Sequence, residues 1–483
     1  MSFMTIKHDW LSNVRADFLS GLTVAFALIP EAIGFSIIAG VDPMVGLYAS
    51  VCIAIVIAFA GGRPAMISAA TGSTAVLMVS LVHDHGVEYL FAATILTGMI
   101  QFLFGILKIG RLLSFLPQTV LTGFVNALAI VIFMAQLPQF VNANWIMYAM
   151  VAGTLVMIYL FPFITKTVPS ALVAIIIMTI ISFTLHLDLK TVGDMGHISD
   201  SLPIFHIPSV PLSLDTFLIV FPTALAISIV GLTESLVTAT IVDEFTGSTS
   251  NKNREARGQG IANIVSGLFG GMAGCGMIGQ SVINVQSGGR KRLSTLTAGV
   301  FLLVLIILLG NVVKQVPMAA LVGVMITVSI GTFDWHSVRH LKKYPLSEAV
   351  IMILTVVVVV YTKNLAIGVV LGVALSAIVF GWKMAHIKTT SRIEGNKKIY
   401  VISGQMFFGT TSHFISEFDY EKDPEKIEID FTHSHIWDHS SVTAIAKVIQ
   451  KYESYNKKVS LIGINDESTK IVNRIGLDSA SGH

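Results

Sequence analysis

Two acids sit where apolar sequence tolerates them least. Glu31 follows Pro30 in the run Ile29-Pro-Glu-Ala-Ile-Gly-Phe-Ser36, and Glu234 lies in Gly231-Leu-Thr-Glu-Ser-Leu-Val-Thr238. An ionised carboxylate at the centre of a bilayer costs on the order of 3 kcal/mol or more. Such a group faces a cavity, a cation or a proton path, or else stays neutral and hydrogen-bonded between helices. On a helix, Thr238 falls one turn beyond Glu234 on the same face, so a carboxylate and a hydroxyl oxygen can point together at a hard cation such as sodium. Phe35 stands in the same relation to Glu31. A glutamate carries a proton as readily as it ligates sodium, so both couplings are open at this point.

Two other segments are short and rich in small residues where their neighbours are Leu, Ile and Val. They are Ser68-Ala-Ala-Thr-Gly-Ser-Thr74 and Gly274-Cys-Gly-Met-Ile-Gly-Gln-Ser281. A half-length helix that begins inside the membrane exposes free backbone N–H groups and the positive end of its dipole, which suits an anion. The same composition also permits close packing of uninterrupted helices. Their places along the chain favour the first reading.

Those places follow from the apolar runs. The chain of 483 residues is 53% hydrophobic and only 12% charged, with mean hydropathy +0.76, far from the roughly one-quarter charged share of soluble domains. Spans are expected near 17–40, 43–60, 68–83, 88–107, 118–137, 145–164, 169–187, 217–242, 256–270, 277–288, 293–313, 316–333, 346–361 and 364–386. Fourteen spans put both termini on one side of the membrane. The basic residues agree, because short cytoplasmic loops retain Lys and Arg during insertion. The N-terminal side collects Lys7, Arg15, Arg63, Lys108, Arg111, Lys166, Lys252, Arg254, Arg257, Arg290, Lys291, Arg292, Arg339, Lys342, Lys343, Lys383 and Lys388. The other side holds only Lys190, Lys314 and Lys363.

The two small-residue segments are the third and tenth spans, and the two acids lie in the first and eighth. An odd-numbered repeat inserts the second time upside down, so these are corresponding positions of a 7+7 inverted repeat. The chain is read as a multi-span α-helical membrane protein over residues 1–388. Residues 389–483 form a cytoplasmic α/β module of roughly 90 residues with strand-like runs at Lys398–Ile402, Lys426–Phe431 and Val459–Ile464 and a frayed tail at Ser479–His483. The first span, with Pro30 and Glu31 inside it, is unlike a cleavable signal segment.

Other chemistries find little support. A net charge of +2 does not suggest nucleic acid. No Walker, HExxH or GxSxG pattern points to an enzyme. Cys52 and Cys275 lie far apart in apolar sequence and read as buried thiols rather than a disulfide or a CxxC metal site. His433, His435, Asp438 and His439 follow a strand and read as turn and cap residues, with Asp438 or Ser440 as a helix N-cap. No metal is expected beyond a transported cation.

The residues also carry a family resemblance. Asp17-Phe-Leu-Ser-Gly-Leu-Thr, Ile29-Pro-Glu-Ala-Ile-Gly-Phe-Ser, Ala39-Gly-Val-Asp-Pro and Gly46-Leu-Tyr resemble the opening signature of SulP anion transporters. Asn284-Val-Gln-Ser-Gly-Gly-Arg-Lys-Arg-Leu-Ser294 resembles the segment after their tenth span, and Val401–Gly409 with Ile427–Phe431 resemble the first strands of their STAS domain. The resemblance implies core and gate domains, an elevator-like movement of a small anion, and a homodimer in the bacterial inner membrane with both termini cytoplasmic. It places substrate among Glu31, Phe35, Thr71, Gly72, Ser73, Met277, Ile278, Gly279 and Gln280, and cation coupling at Glu234, Thr238 and Gln280.

Three departures matter. Glu31 stands where many members have Gln, Gln280 where many have Arg, and Asp438-His-Ser440 where phosphorylated STAS modules have Asp-Ser-Ser. With two acids near the site and no cation in it, a positive co-substrate is expected; Glu234 with Thr238 resembles the Asp and Thr arrangement that holds sodium in bicarbonate-transporting members of the family, so sodium-coupled bicarbonate uptake is the favoured expectation. Proton-coupled sulfate or dicarboxylate symport is the main rival, and an anion channel or a STAS-based membrane regulator follows. No cofactor is expected apart from the transported Na+ or H+.

Overall fold

The computed structural model describes residues 10–108, 117–165, 169–195, 202–362 and 365–476. Lys7, Arg111, Lys166 and Lys363, four of the charges used for topology, lie outside the described residues, as does the tail 479–483. The chain forms two compact units that divide between Val373 and Ala374, inside the last apolar helix. The boundary drawn from composition, at 388/389, falls at the start of the first strand of the second unit.

The membrane unit follows the expected order of spans: α1 (Val14–Ala39), α2 (Pro43–Ala60), β1 (Ser68–Ala70) leading into α3 (Gly72–His85), α4 (Val87–Ile106), α5 (Gln118–Gln136), α6 (Trp145–Leu160) and α7 (Ser170–Thr184). The second series is α8 (Leu214–Thr246), α9 (Lys252–Leu268), β2 (Gly274–Gly276) leading into α10 (Ile278–Gln286), α11 (Arg292–Val313), α12 (Met318–Thr332), α13 (Leu346–Thr362) and α14 (Leu365–Met384). Among the described residues, seven of these helices are long and apolar enough to cross a membrane and four are shorter apolar helices. The exceptions are α3, α9 and α10. Helix α8 outruns its apolar stretch at both ends because its caps lie in polar sequence: the Ser213 hydroxyl accepts from Thr216 N–H, and Gly247 closes the helix at φ 61°. Helix α9 likewise starts four residues early, where the Asn251 side chain accepts from Arg254 N–H.

Packing repeats with a step of seven. The pairs α1–α2, α1–α11, α2–α11, α3–α8 and α5–α13 each have their counterpart in α8–α9, α8–α4, α9–α4, α10–α1 and α12–α6. Helices α1–α4 and α8–α11 form one group, α5–α7 with α12 and α13 another, and contacts between the groups are sparser. The most extensive helix contact, α4 against α9, depends on glycine: a Cβ on Gly260 would fall 2.6 Å from the Gly98 carbonyl oxygen.

The C-terminal unit contains β3 (Lys388–Glu394), β4 (Lys397–Met406), α15 (Thr411–Ser416), β5 (Lys426–Ile436), α16 (His439–Ser454), β6 (Lys458–Ile462) and α17 (Asp466–Ile475). The sheet order is β3-β4-β5-β6, with β3 antiparallel to β4 and the rest parallel. Ile402, Phe414, Phe431, Val442, Ile445 and Tyr452 make its core. One expectation is corrected here. His433 and His435 do not leave the strand at Phe431 but continue it to Ile436, past a register shift opposite Val401 and Ser403. Asp438 caps α16 as read from sequence, accepting Ser441 N–H at 2.9 Å, and also accepts Phe408 N–H at 2.7 Å.

Candidate functional site

The third and tenth spans are broken, and the break has a built geometry. Strands β1 and β2 pair antiparallel, Ser68 with Gly276, Ala69 with Cys275 and Ala70 with Gly274. Each then turns into a half-length helix, of 14 residues for α3 and nine for α10. The N-cap residues Thr71 and Met277 are extended, and neither side chain caps its helix. The first N–H groups of α3 (Gly72, Ser73, Thr74) and of α10 (Ile278, Gly279, Gln280) therefore have no partner within their own helices, which is the arrangement that receives an anion.

Helix α9 is the mould for this pair. Its buried stripe Glu255, Gln259, Asn263 and Ser266 recurs at helical spacing, and each member holds a piece of the break. The Glu255 carboxylate accepts Gly62 and Arg63 N–H at 2.6 and 2.9 Å. Gln259 donates to the Ser68 hydroxyl at 2.7 Å. Asn263 donates to the Gly274 carbonyl at 3.1 Å and accepts Gly274 N–H at 2.9 Å. Ser266 donates to the Met272 carbonyl at 2.7 Å. This stripe explains why α9 is the least apolar of the fourteen.

The two acids address opposite halves of the site. At the start of α3, Glu234 Oε2 accepts from Ser73 Oγ at 2.5 Å and from Cys275 Sγ at 3.1 Å. Thr71 Oγ1 lies 3.1 Å from Ser73 Oγ, 3.1 Å from Thr74 Oγ1 and 3.2 Å from Cys275 Sγ. At the start of α10, Gln280 Nε2 donates to Glu31 Oε2 at 2.5 Å. Pro30 removes one rung of the α1 ladder immediately before Glu31. Both acids are half-buried, whereas Phe35 and Met277 are buried. No Lys or Arg occurs in 25–40, 68–85, 226–242 or 274–286, the segments that make the site.

Thr238 behaves differently from the expectation of a shared cation face. Its hydroxyl donates to the Glu234 carbonyl at 2.7 Å and to the Gly276 carbonyl at 3.2 Å, while Ser235 accepts Gly276 N–H at 2.9 Å. In this geometry Thr238 and Ser235 grip β2. The Glu234 carboxylate finds its partners in Ser73 and Cys275.

Space differs at the two helix starts. A Cβ on Gly72 would meet Phe35 Cε1 and Ile132 Cδ1, each at 2.9 Å, whereas a Cβ on Gly279 meets nothing within 4 Å. A cavity of about 730 Å³ lined by Ile38, Leu77, Ser80, His83, Gln136 and others lies where α1, α3 and α5 end. Sequence reasoning missed Ile132, which sits in an unremarkable apolar helix. It also missed the role of Cys275, which depends on the β1–β2 pairing that sets it opposite Ala69, just before α10 begins.

The chain is similar to known proteins along nearly its whole length. The sulfate permease family profile matches residues 14–148 and 139–355, and the STAS domain profile matches 386–481. YbaR of Bacillus subtilis, provisionally named a sulfate transporter, is 57% identical over 98% of this chain and 99% of its own length. The bicarbonate transporter BicA of Picosynechococcus sp. is 25% identical over 96% of this chain and 91% of its own. The solved transmembrane domain of a cyanobacterium BicA superposes with TM-score 0.68 at 28% identity, covering 74% of this chain and 98% of that one. The murine Slc26a9 anion transporter, solved in its inward-facing state, gives TM-score 0.86 at 15% identity over 97% of this chain and 88% of that one, a likeness of fold. This chain belongs to the sulfate permease family of anion transporters and carries a STAS domain.

Proposed function

We propose that the protein takes up a small monovalent inorganic anion, bicarbonate, together with sodium. The anion sits between the starts of α3 and α10, and Glu234 serves the cation. The observation that carries this reading is the Glu234 carboxylate at the start of α3, held from one side by Ser73 and Cys275. A carboxylate beside an anion-receptive helix end, with no Lys or Arg in the site segments, favours a substrate that arrives with a positive partner. A monovalent anion meets less repulsion from the two acids than sulfate would. BicA, named as a bicarbonate transporter, supports the substrate class.

The separation into two helix groups supports an elevator movement of α1–α4 with α8–α11 against the rest. The basic-loop asymmetry supports both termini in the cytoplasm of a bacterial inner-membrane protein, and a homodimer is proposed with it. One observation favours a second reading, proton-coupled sulfate or dicarboxylate uptake. Glu31 hydrogen-bonds Gln280 at the start of α10, where a proton would remove the charge that opposes an anion, and YbaR is named for sulfate. Uptake of labelled bicarbonate and sulfate into liposomes, with sodium and pH gradients imposed separately, tests the choice. Bicarbonate accumulation that requires sodium is the expected result. Accumulation of sulfate driven by pH alone would replace it.

A further inference from the structure

The turn between α12 and α13 is built more firmly than a connecting loop needs to be. The Asp334 side chain accepts His336 and Ser337 N–H at 3.0 and 3.2 Å, starting the short helical segment Trp335–Arg339. Buried Asn126 on α5 accepts Asp334 N–H at 2.7 Å and donates to Ser337 Oγ at 2.9 Å, pinning the turn to its neighbour. The Trp335 indole N–H donates to the Ile330 carbonyl at 3.0 Å, and its ring lies 4.7 Å from that of Phe333. The rings of His336 and His340 stack at 4.0 Å.

What this order presents is an unpaired charge beside an unpaired apolar edge. Arg339, Lys342 and Lys343 are exposed, and none has an ion-pair partner among the described residues. Trp335 and Val338 are 52% and 51% exposed on the same segment, and Leu346, where α13 begins, is 82% exposed. Trp335 and Arg339 stand at i and i+4 of the short helix, which places aromatic and cation on one side of it, and Lys342 and Lys343 follow in the next turn, Leu341–Lys343. The segment joins the ends of two spans, so it lies at the boundary between hydrocarbon and water. There an aromatic ring finds the headgroup level and a cation meets phosphate. A soluble acidic partner would satisfy the cations but not the apolar edge.

We propose that the α12–α13 turn is a binding site for the headgroup of an anionic phospholipid. Arg339, Lys342 and Lys343 hold the phosphate, while Trp335 and Val338 enter the interface. Through Asn126 a bound lipid fastens α12 and α13 to α5, so occupancy stabilises that helix group.

The full-length protein, purified in neutral detergent, is titrated with phosphatidylglycerol, phosphatidylcholine or inorganic phosphate, with melting temperature and bound lipid as readouts. Phosphatidylglycerol is expected to bind and raise the melting temperature, and phosphatidylcholine and inorganic phosphate are expected not to. The triple substitution Arg339→Gln, Lys342→Gln, Lys343→Gln should weaken phosphatidylglycerol binding about a hundredfold, since each cation near an anionic surface contributes about fivefold. A charge-matched variant, Lys422→Gln, Lys447→Gln, Lys470→Gln on the C-terminal unit, should bind as wild type. Should the triple variant fail to insert, the three single substitutions give the answer, each weakening binding about threefold to fivefold. Wild-type affinity in the triple variant or in all three single variants overturns the proposal. So does equal loss in the charge-matched variant, or a stabilisation reproduced by inorganic phosphate alone.

Discussion

Helices α3 and α10 occupy equivalent places in the two halves of the membrane unit, and their backbones start alike, yet their surroundings are unlike. The start of α3 is enclosed: Phe35 and Ile132 cover Gly72, and the polar knot of Thr71, Ser73, Cys275 and Glu234 lies beside it. The start of α10 is open at Gly279; there Gln280 bonds to Glu31, and Ser281 one residue on is tied to the Ile67 backbone rather than to an acid. Repetition of the fold supplies two anion-receptive ends, while substitution has given one of them a fixed acid with several donors and the other an acid with one. The difference suggests a division of labour, with cation chemistry at the α3 end and anion admission at the α10 end.

The largest effect should come from breaking the α3 end. Glu234→Gln keeps the shape and removes the charge, and it should abolish cation-driven accumulation while the protein still inserts and purifies normally. Uptake under an imposed sodium or proton gradient measures this, and undiminished accumulation would remove Glu234 from the coupling role.

Next in size are the two glycines, which should fail in different ways. At Gly279 a valine side chain has room but occupies the space in front of the free N–H groups. Gly279→Val should therefore fold and raise the anion KM about tenfold to a hundredfold, the value of one charge-assisted hydrogen bond. At Gly72 the same change must displace Phe35 or Ile132, adding a destabilisation of about 1–3 kcal/mol. Melting temperature and KM measured together separate the two. Equal behaviour of both variants would mean that the ends are not distinct.

A smaller effect is expected at Glu31. Removing a like charge near the anion should tighten binding about tenfold or more, since two charges a few ångströms apart repel by about 1 kcal/mol in bulk water and by more where water is partly excluded. Glu31→Gln should thus lower the anion KM while leaving the sodium dependence in place. If it instead removes coupling, the roles assigned to the two acids are exchanged.

Much of the membrane unit is legible in the amino-acid sequence, for physical reasons. A bilayer demands long apolar runs, and the fourteen runs, with basic loops gathered on one side, lead to the order of spans that the fold adopts. Small residues in the third and tenth runs mark helices that start late. What stays hidden is what depends on pairing across distance. Nothing local announces that β1 and β2 form a two-strand ladder, that Cys275 thereby reaches Glu234, or that Thr238 turns to the Gly276 carbonyl. The polar stripe of α9 is visible as a weak span, but its meaning requires the broken segments it supports. In the C-terminal unit, β3 escapes notice because all its residues but Ile393 are polar, and the histidines of β5 look like a turn because a bulge interrupts their alternation.

The smallest effect on transport should come from the C-terminal unit. All the site residues lie before Ser287, and this unit has an apolar core of its own. Its main polar knot is internal: buried Asp423 accepts from Lys398 at 2.6 Å, Tyr400 at 2.7 Å and Tyr452 at 2.6 Å. Burial works to raise the Asp423 carboxyl, and these bonds outweigh it and hold the group below its usual range. A carboxyl so depressed contributes stability above its unfolded value, near 3.9, and loses it as pH falls through the lower folded value. This contribution should therefore be fully present at neutral pH and be lost only in acid. Asp423→Asn should destabilise it by about 3 kcal/mol, the lower cost of breaking a buried pair, as read by proteolysis of the full chain. Removing everything after Thr389 goes further and should still leave turnover per inserted molecule nearly unchanged in liposomes, with lower yield or altered assembly. A truncated protein that inserts and assembles normally but transports nothing would place the C-terminal unit inside the transport cycle. The contrast between α3 and α10 would then be an incomplete account of coupling.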